Sequence, residues 1–259
     1  MSRAAVPRML LRGWAIQVKD SSSFGFFIMS SLIEPVIFAA IAAYMFRAGN
    51  RPDALLYAAI GAGMLGVWIV TLIGSGQALT FLRHAGILEL LIVAPVPFVL
   101  VLAPITLAAA TVGMYSLAAT LVWGWLLFDV PLGVEHPWLL LASVPATVIG
   151  LGMLGMLMAS VFVLFRHANA LTNMLGYPVW LASGFLVPVS LLPDWVRPVS
   201  WLLPTTWGAE AIRTSMIGGH PLPAIGACLG LAIGYFALAA LTVRHFERLA
   251  RQRASLALA

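Results

Sequence analysis

The strongest constraint on this chain is its series of long, uninterrupted apolar runs. Six can be bounded by charges and turn residues: about Phe24 to Phe46, Ala54 to Leu79, Pro97 to Phe128, Trp138 to Phe165, Ala170 to Val189 and Pro221 to Val243. A helix needs roughly 20 apolar residues to cross a bilayer, and each run approaches or exceeds that length. The third is longer than needed, and Pro104 can break it near its start. Unbroken hydrophobicity argues against a membrane barrel, whose strands alternate over about ten residues. It also argues against a soluble domain. Charged residues make up 9% of the chain, whereas soluble domains carry about 25%. The expected fold is all-α and polytopic: one membrane domain over 1–259, with six transmembrane helices after an N-terminal cytoplasmic segment, 1–23.

Loop charges set the expected orientation. With the N-terminus inside, the inner segments hold Arg3, Arg8, Arg12, Lys19, Arg83, Arg166, Arg244, Arg248, Arg251 and Arg253. The outer segments hold Arg47, Arg51, Arg197 and Arg213. The positive-inside rule then puts both termini in the cytoplasm of a cell whose inner membrane this chain spans. Basic residues at span ends are orientation signals and headgroup anchors, so the net charge of +5 does not point to nucleic acid. The N-terminus lacks the short apolar stretch and small-residue cleavage site of a removed signal peptide.

Two connections are more than loops. Thr80 to Val96 mixes Arg83, His84 and Glu89 with Ile87, Leu88, Leu90, Leu91, Ile92 and Val93 before Ala94-Pro95. That pattern predicts a short amphipathic helix on the cytoplasmic side. Leu191 to His220 carries Pro193, Asp194, Trp195, Arg197, Pro198, Trp201, Pro204, Trp207, Glu210 and Arg213. It is too polar and proline-rich to span and too apolar to float in water. Tryptophans favour the interface, so one or two short helices should lie there or dip partway in. Glu210 and Arg213, three apart, would share a helix face and could pair.

Small residues suit close helix approach in lipid. Gly226, Gly230 and Gly234 repeat every four residues in the sixth run. Gly61, Gly63, Gly66, Gly74 and Gly76 thin the second, and Gly150, Gly152, Gly155 and Ala159 the fourth. Packing within one subunit is the favoured reading of these glycines, ahead of an interface between subunits.

Catalytic chemistry is sparse. No Gly-rich phosphate loop ends in Lys-Ser or Lys-Thr, so the chain should not bind or hydrolyse ATP itself. The five histidines lie near span ends without metal-ligand spacing, and the single Cys228 reads as a small hydrophobe. Ser75 and Ser183 sit beside glycines in apolar helices but lack a base at mid-depth, which an intramembrane serine protease requires. Glu34, followed by Pro35, is the one acid well inside a span. An intramembrane carboxylate suggests a functional site, here a proton or cation site. The structural alternative is a protonated or hydrogen-bonded carboxyl that supports the proline kink.

Three stretches together resemble the permease subunits of ABC type-2 exporters, the family of daunorubicin-type drug efflux and nodulation-factor or polysaccharide export permeases. They are Ile33-Glu34-Pro35-Val36-Ile37, the segment Arg83 to Pro97 with its Gly86-Ile87-Leu88-Glu89, and, in the fifth span and beyond, Ser183 to Pro188, Leu192-Pro193-Asp194-Trp195 and the outer stretch Leu203 to Arg213. The resemblance implies two permease subunits, alike or different, working with two separate ATPase subunits that would hold ATP and Mg. It implies no cofactor in this chain. It makes Arg83, Gly86, Ile87, Leu88, Glu89, Leu91 and Pro95 the ATPase-coupling segment, and Pro204, Trp207, Glu210 and Arg213 an outer re-entrant region. The expected function is export of an amphiphilic substrate: a drug, natural product, lipid or lipid-linked glycan. The alternative is a proton-coupled secondary transporter using Glu34.

Overall fold

A computed structural model describes residues 5–22, 25–48, 54–84, 86, 97–164 and 168–256. Among these residues there are nine α-helices and no strand: α1 (Ala5–Ser22), α2 (Gly25–Ala48), α3 (Leu55–His84), α4 (Val99–Phe128), α5 (Pro137–Leu164), α6 (Ala168–Ala182), α7 (Arg197–Leu202), α8 (Pro204–Ile217) and α9 (Pro221–Leu256). Four of them contain stretches long and apolar enough to cross a membrane: Leu55–Gly76, Val99–Phe128, Pro137–Val161 and Pro221–His245. The all-helical, polytopic membrane class follows directly.

Helix starts obey local chemistry. α5, α8 and α9 each begin on a proline, Pro137, Pro204 and Pro221, where the missing N–H costs nothing and φ is preset. α4 ends at Asp129, in the left-handed region with its N–H on the Gly124 carbonyl. Pro104 lies inside α4 rather than ending the helix.

The bundle is layered. α3 and α4 form its centre, with α2 across both and α1 lying on α4. On the other side α5 packs on α4 and α3, and α8 and α9 pack on α5. α6 leans on α3. Trp68, Phe98, Leu102, Leu151, Met156, Phe185 and Ile212 form the largest fully buried side chains of the core.

Within the N-terminal segment, α1 docks on α4. Met9, Leu10, Gly13, Trp14, Gln17 and Val18 face inward at helical spacing while Arg8, Leu11, Arg12, Ala15 and Ile16 are exposed. The Trp14 indole donates to Thr111 Oγ1 at 3.0 Å, and Gly13 sits over Pro104. Two expectations need correction. The fifth run, drawn to Val189, supports a helix only to Ala182. Its 15 residues rise about 22 Å, short of the roughly 30 Å hydrocarbon core. The glycines, finally, divide. Those of α3 and α5 press against neighbouring helices, whereas Gly226, Gly230 and Gly234 of α9 have nothing within 4 Å of a would-be Cβ. That repeat packs nothing inside this subunit.

Candidate functional site

The region around α8 is built on α5. Ser143, Thr147 and Gly150 recur at helical spacing along α5 and meet α8 in reverse order. Ser143 Oγ lies 2.9 Å from Ser215 Oγ and donates to the Ala211 carbonyl at 3.2 Å. Thr147 Oγ1 donates to the Gly208 carbonyl at 3.3 Å. A Cβ on Gly150 would lie 3.3 Å from Pro204 Cβ. Pro204 therefore sits opposite a point about 20 Å along α5 from Pro137, and Ser215 opposite one about 9 Å along, at 1.5 Å per residue. α8 starts deep in the bundle and rises back toward the end where α5 begins. There the backbone N–H of His136 donates to the Ser215 carbonyl at 3.0 Å. Gly218 and Gly219, at φ of 113° and 131°, then turn the chain into α9. α8 thus runs antiparallel to α5, back toward the end where α5 begins.

α6 stops inside the same layer. Ser183 Oγ hydrogen-bonds Thr205 Oγ1, in the first turn of α8. Gly184, at φ 71°, takes the left-handed turn that a glycine makes after a helix end. Breaking a helix here frees backbone carbonyls where no lipid can hydrogen-bond them. Such backbone is tolerated at membrane depth only when protein satisfies it. Arg213 does so: NH1 donates to the Gly184 carbonyl at 3.0 Å and NH2 to the Phe185 carbonyl. A cation is also favoured at a helix C-terminus by the helix dipole.

The guanidinium is 5% exposed and stays charged, since arginine is not deprotonated in proteins. Its Cζ lies 3.7 Å from the centre of the Tyr57 ring of α3, a cation–π contact strengthened by burial. Gly61, one turn further along α3, makes room for the arrangement. A Cβ there would collide with the Phe185 carbonyl and lie 2.7 Å from Arg213 NH2. One side chain of α8 thus fastens the end of α6 to α3.

The expected Glu210–Arg213 pair does not form. Arg213 turns inward to two carbonyls and a ring, while Glu210 is exposed, and no ion pair joins them among the described residues. Pro204 is buried at the start of α8, and the half-buried Trp207 donates its indole N–H to the Trp201 carbonyl at 2.8 Å. Arg197 makes the contrasting surface pair. It lies 2.9 Å from Asp194 with side chains 38% and 91% exposed, and also donates to the Ser190 and Leu192 carbonyls.

Other expected site residues lie elsewhere. Glu34 is exposed on α2, beside the buried Pro35. It makes no hydrogen bond or ion pair among the described residues. Ser75 and Ser183 donate back to the Thr71 and Val179 carbonyls of their own helices, each at 2.6 Å. Of the coupling segment, only Gly86 is described in full, exposed and at φ 67°. Arg83 falls on the backbone of α3 without a described side chain, and Ile87, Leu88, Glu89, Leu91 and Pro95 lie outside the described residues. Tyr57 and Gly61 escape sequence reasoning as site residues, because only the fold brings them to Arg213.

The model of the ABC-2 type transporter family matches residues 9–217, from α1 through the end of α8. The chain belongs to the ABC-2 type transporter family. No curated protein matches it. The match spans α8, the broken α6 and the α3–α4 centre, so this ABC-2 permease carries its buried arginine within the family's own domain. It is the transport subunit type of an ABC transporter and a multi-pass membrane protein. α9 lies beyond the matched stretch.

Proposed function

We propose that this ABC-2 permease exports an amphiphilic substrate across the cytoplasmic membrane, driven by separate ATPase subunits and paired with a second permease subunit. The observation that carries the reading is the family match from α1 through α8. The physical features support it. The described part of α2 and the spans of α3 and α4 hold two charges, Glu34 and, near the end of α2, Arg47, which suits apolar or amphiphilic cargo better than small ions. The α2 face carrying Glu34 is the side turned toward the second permease and the substrate path, because an exposed carboxylate is costly against lipid.

In this reading both termini are cytoplasmic. Gly86 and its neighbours Arg83, Ile87, Leu88, Glu89, Leu91 and Pro95 dock on the ATPase, which holds ATP and Mg. The re-entrant α7–α8 region lies at the outer face. Arg213 keeps the half-length α6 fixed there while the cytoplasmic side moves. The test is co-purification with candidate ATPases, followed by ATP hydrolysis in lipid vesicles with and without amphiphiles. Stable association and amphiphile-stimulated hydrolysis are expected. Association with none of them, together with transport driven by a proton gradient alone, would replace the exporter by the secondary transporter. Orientation has its own check. With Cys228 replaced, single cysteines at positions 51 and 135 should label from outside and those at 83 and 166 from inside.

A further inference from the structure

α1 docks on α4 by one face and turns the other away from the bundle. At about 100° per residue, Arg8, Arg12 and Lys19 fall within about 40° of one another. All three are exposed, on the side opposite the docked face that carries Gly13 and Trp14. Leu11 and Ile16 flank this basic stripe, one on each edge, at 64% and 69% exposed. Asp20, near the end of the helix, is the one acid of α1.

The level of α1 is set by its seat on α4. α4 has 30 residues and is about 45 Å long. With α4 centred, a hydrocarbon core of about 30 Å leaves about 7.5 Å of it among the headgroups at each end. Pro104 lies about 7.5 Å along α4 from Val99, at the boundary between headgroups and core. Gly13, midway along α1, rests on Pro104, and the Trp14 indole reaches further inward to Thr111 Oγ1 at 3.0 Å. The outward stripe of α1 is thereby held at headgroup level. Neither Arg8 nor Arg12 is ion-paired among the described residues. In the orientation proposed above, the inner segments of the whole sequence hold ten basic residues against three acids, Asp20, Glu89 and Glu247.

A helix face that is basic at its centre and aliphatic at its edges complements a surface that is anionic outside and apolar a few ångströms deeper. We infer that the outward face of α1 is a docking site for anionic phospholipid headgroups of the cytoplasmic leaflet. Arg8 and Arg12, one turn apart, take the phosphodiester groups, which the guanidinium fork fits. Leu11 and Ile16 enter the glycerol and upper acyl region beside them. Because the opposite face holds α4 through Gly13 and Trp14, the charge of the leaflet acts on the bundle through this helix. This inference rests on the cytoplasmic orientation of the termini in the proposed function, and it adds a lipid partner that the exporter reading does not itself require.

The test uses the intact permease in phosphatidylcholine nanodiscs, with a fluorophore on Ala15→Cys in a Cys228→Ala background. Ala15 is exposed beside the basic stripe. The quenchers are phosphatidylglycerol and phosphatidylcholine, each carrying a nitroxide near the top of one acyl chain. Each basic residue at an anionic surface is worth about fivefold in affinity, so phosphatidylglycerol should quench at a mole fraction lower by about tenfold or more. Arg8→Gln with Arg12→Gln should remove most of that preference, as should Arg12→Gln in part where the pair does not accumulate. Arg8→Lys with Arg12→Lys should keep most of it. Arg248→Gln with Arg251→Gln, an equal loss of charge at the far end of the chain, should leave it unchanged. Equal quenching by the two lipids before any arginine is changed would overturn the inference, as would a preference that survives the glutamine variants. Shielding of the fluorophore by an added ATPase, with no lipid preference beforehand, would assign the stripe to a protein contact instead. Orientation is read separately, from the labelling of single cysteines at positions 83 and 166. A phosphatidylglycerol preference with position 83 labelled from outside keeps the docking site and removes the orientation, whereas no preference with position 83 labelled from inside removes this inference alone.

Discussion

α3 and α9 look alike as sequence and differ as structure. Both are apolar helices studded with glycine, yet 72% of the α3 span is buried in the bundle against 22% of the α9 span. Four α3 glycines each meet a specific neighbour: Gly61 the Phe185 carbonyl, Gly63 Leu117, Gly66 Ser116 and Gly74 Ala109. The α9 glycines are more regular, one every four residues, and meet nothing. Small residues permit close approach but do not cause it. What decides is whether a neighbouring helix comes with polar backbone or bulk to place there. α3 has four helices and a broken helix end around it. α9 has α5 and α8 on one side, and Cys228 and Ala232 are among its buried residues, while Gly226, Gly230, Ile233 and Gly234 face away. The family match ends before α9.

The largest expected effect is at Gly61. Gly61→Leu would drive a side chain into the Phe185 carbonyl and the Arg213 guanidinium together. Overpacking alone costs about 1–3 kcal/mol, and displacing a buried charge from its partners adds about 3–5 kcal/mol. The variant should fail to accumulate as folded protein, measured by fluorescence-detected size exclusion. A normal monodisperse peak would show that α3 and the end of α6 are not pressed together.

Next comes Arg213. Arg213→Ala should lower thermal stability in detergent and abolish most transport, because two carbonyls of a broken helix lose their donors. Arg213→Lys should recover only part, since an ammonium cannot reproduce the two-pronged guanidinium. Arg197→Ala should cost about 0–1 kcal/mol, as expected of an exposed pair. Glu210→Ala should resemble Arg197→Ala rather than Arg213→Ala. A Glu210→Ala defect as deep as that of Arg213→Ala would restore the local pairing that the fold argues against.

That last contrast marks how much the sequence could reveal. Apolar runs are legible because hydropathy integrates over 20 residues, so the membrane class and most helices are readable. Helix ends inside an apolar run are not, since Ser183 to Val189 is as hydrophobic as what precedes it. The available signal was Gly184, a residue suited to a left-handed turn after a helix. α1 is hard to read because arginines alternate with its inward residues along the chain, although those inward residues recur at helical spacing. For Arg213, local spacing offers only Glu210 as a partner. Its actual partners lie 28 and 29 residues upstream and on α3, contacts that tertiary structure alone creates.

The smallest effect is expected on α9. Gly230→Ala should leave stability within about 1 kcal/mol of wild type, with helix propensity slightly favouring alanine. Even Gly230→Leu should fold, because its side chain enters open space. If Gly230→Leu folds but changes the elution volume from dimer to monomer, α9 is a subunit contact, and the contrast with α3 becomes one between internal and external packing.

The central claim is that this permease is moved by a separate ATPase through the segment from Arg83 to Pro95. The most direct measurement is ATPase retention and transport in Glu89→Lys. A docked segment loses a charged contact and gains a repulsive one, so transport should be lost and ATPase binding weakened, or hydrolysis uncoupled from substrate, while the permease remains folded. A segment that merely lies on anionic headgroups would be helped by the added positive charge. Full ATPase retention with normal transport in Glu89→Lys would contradict the account.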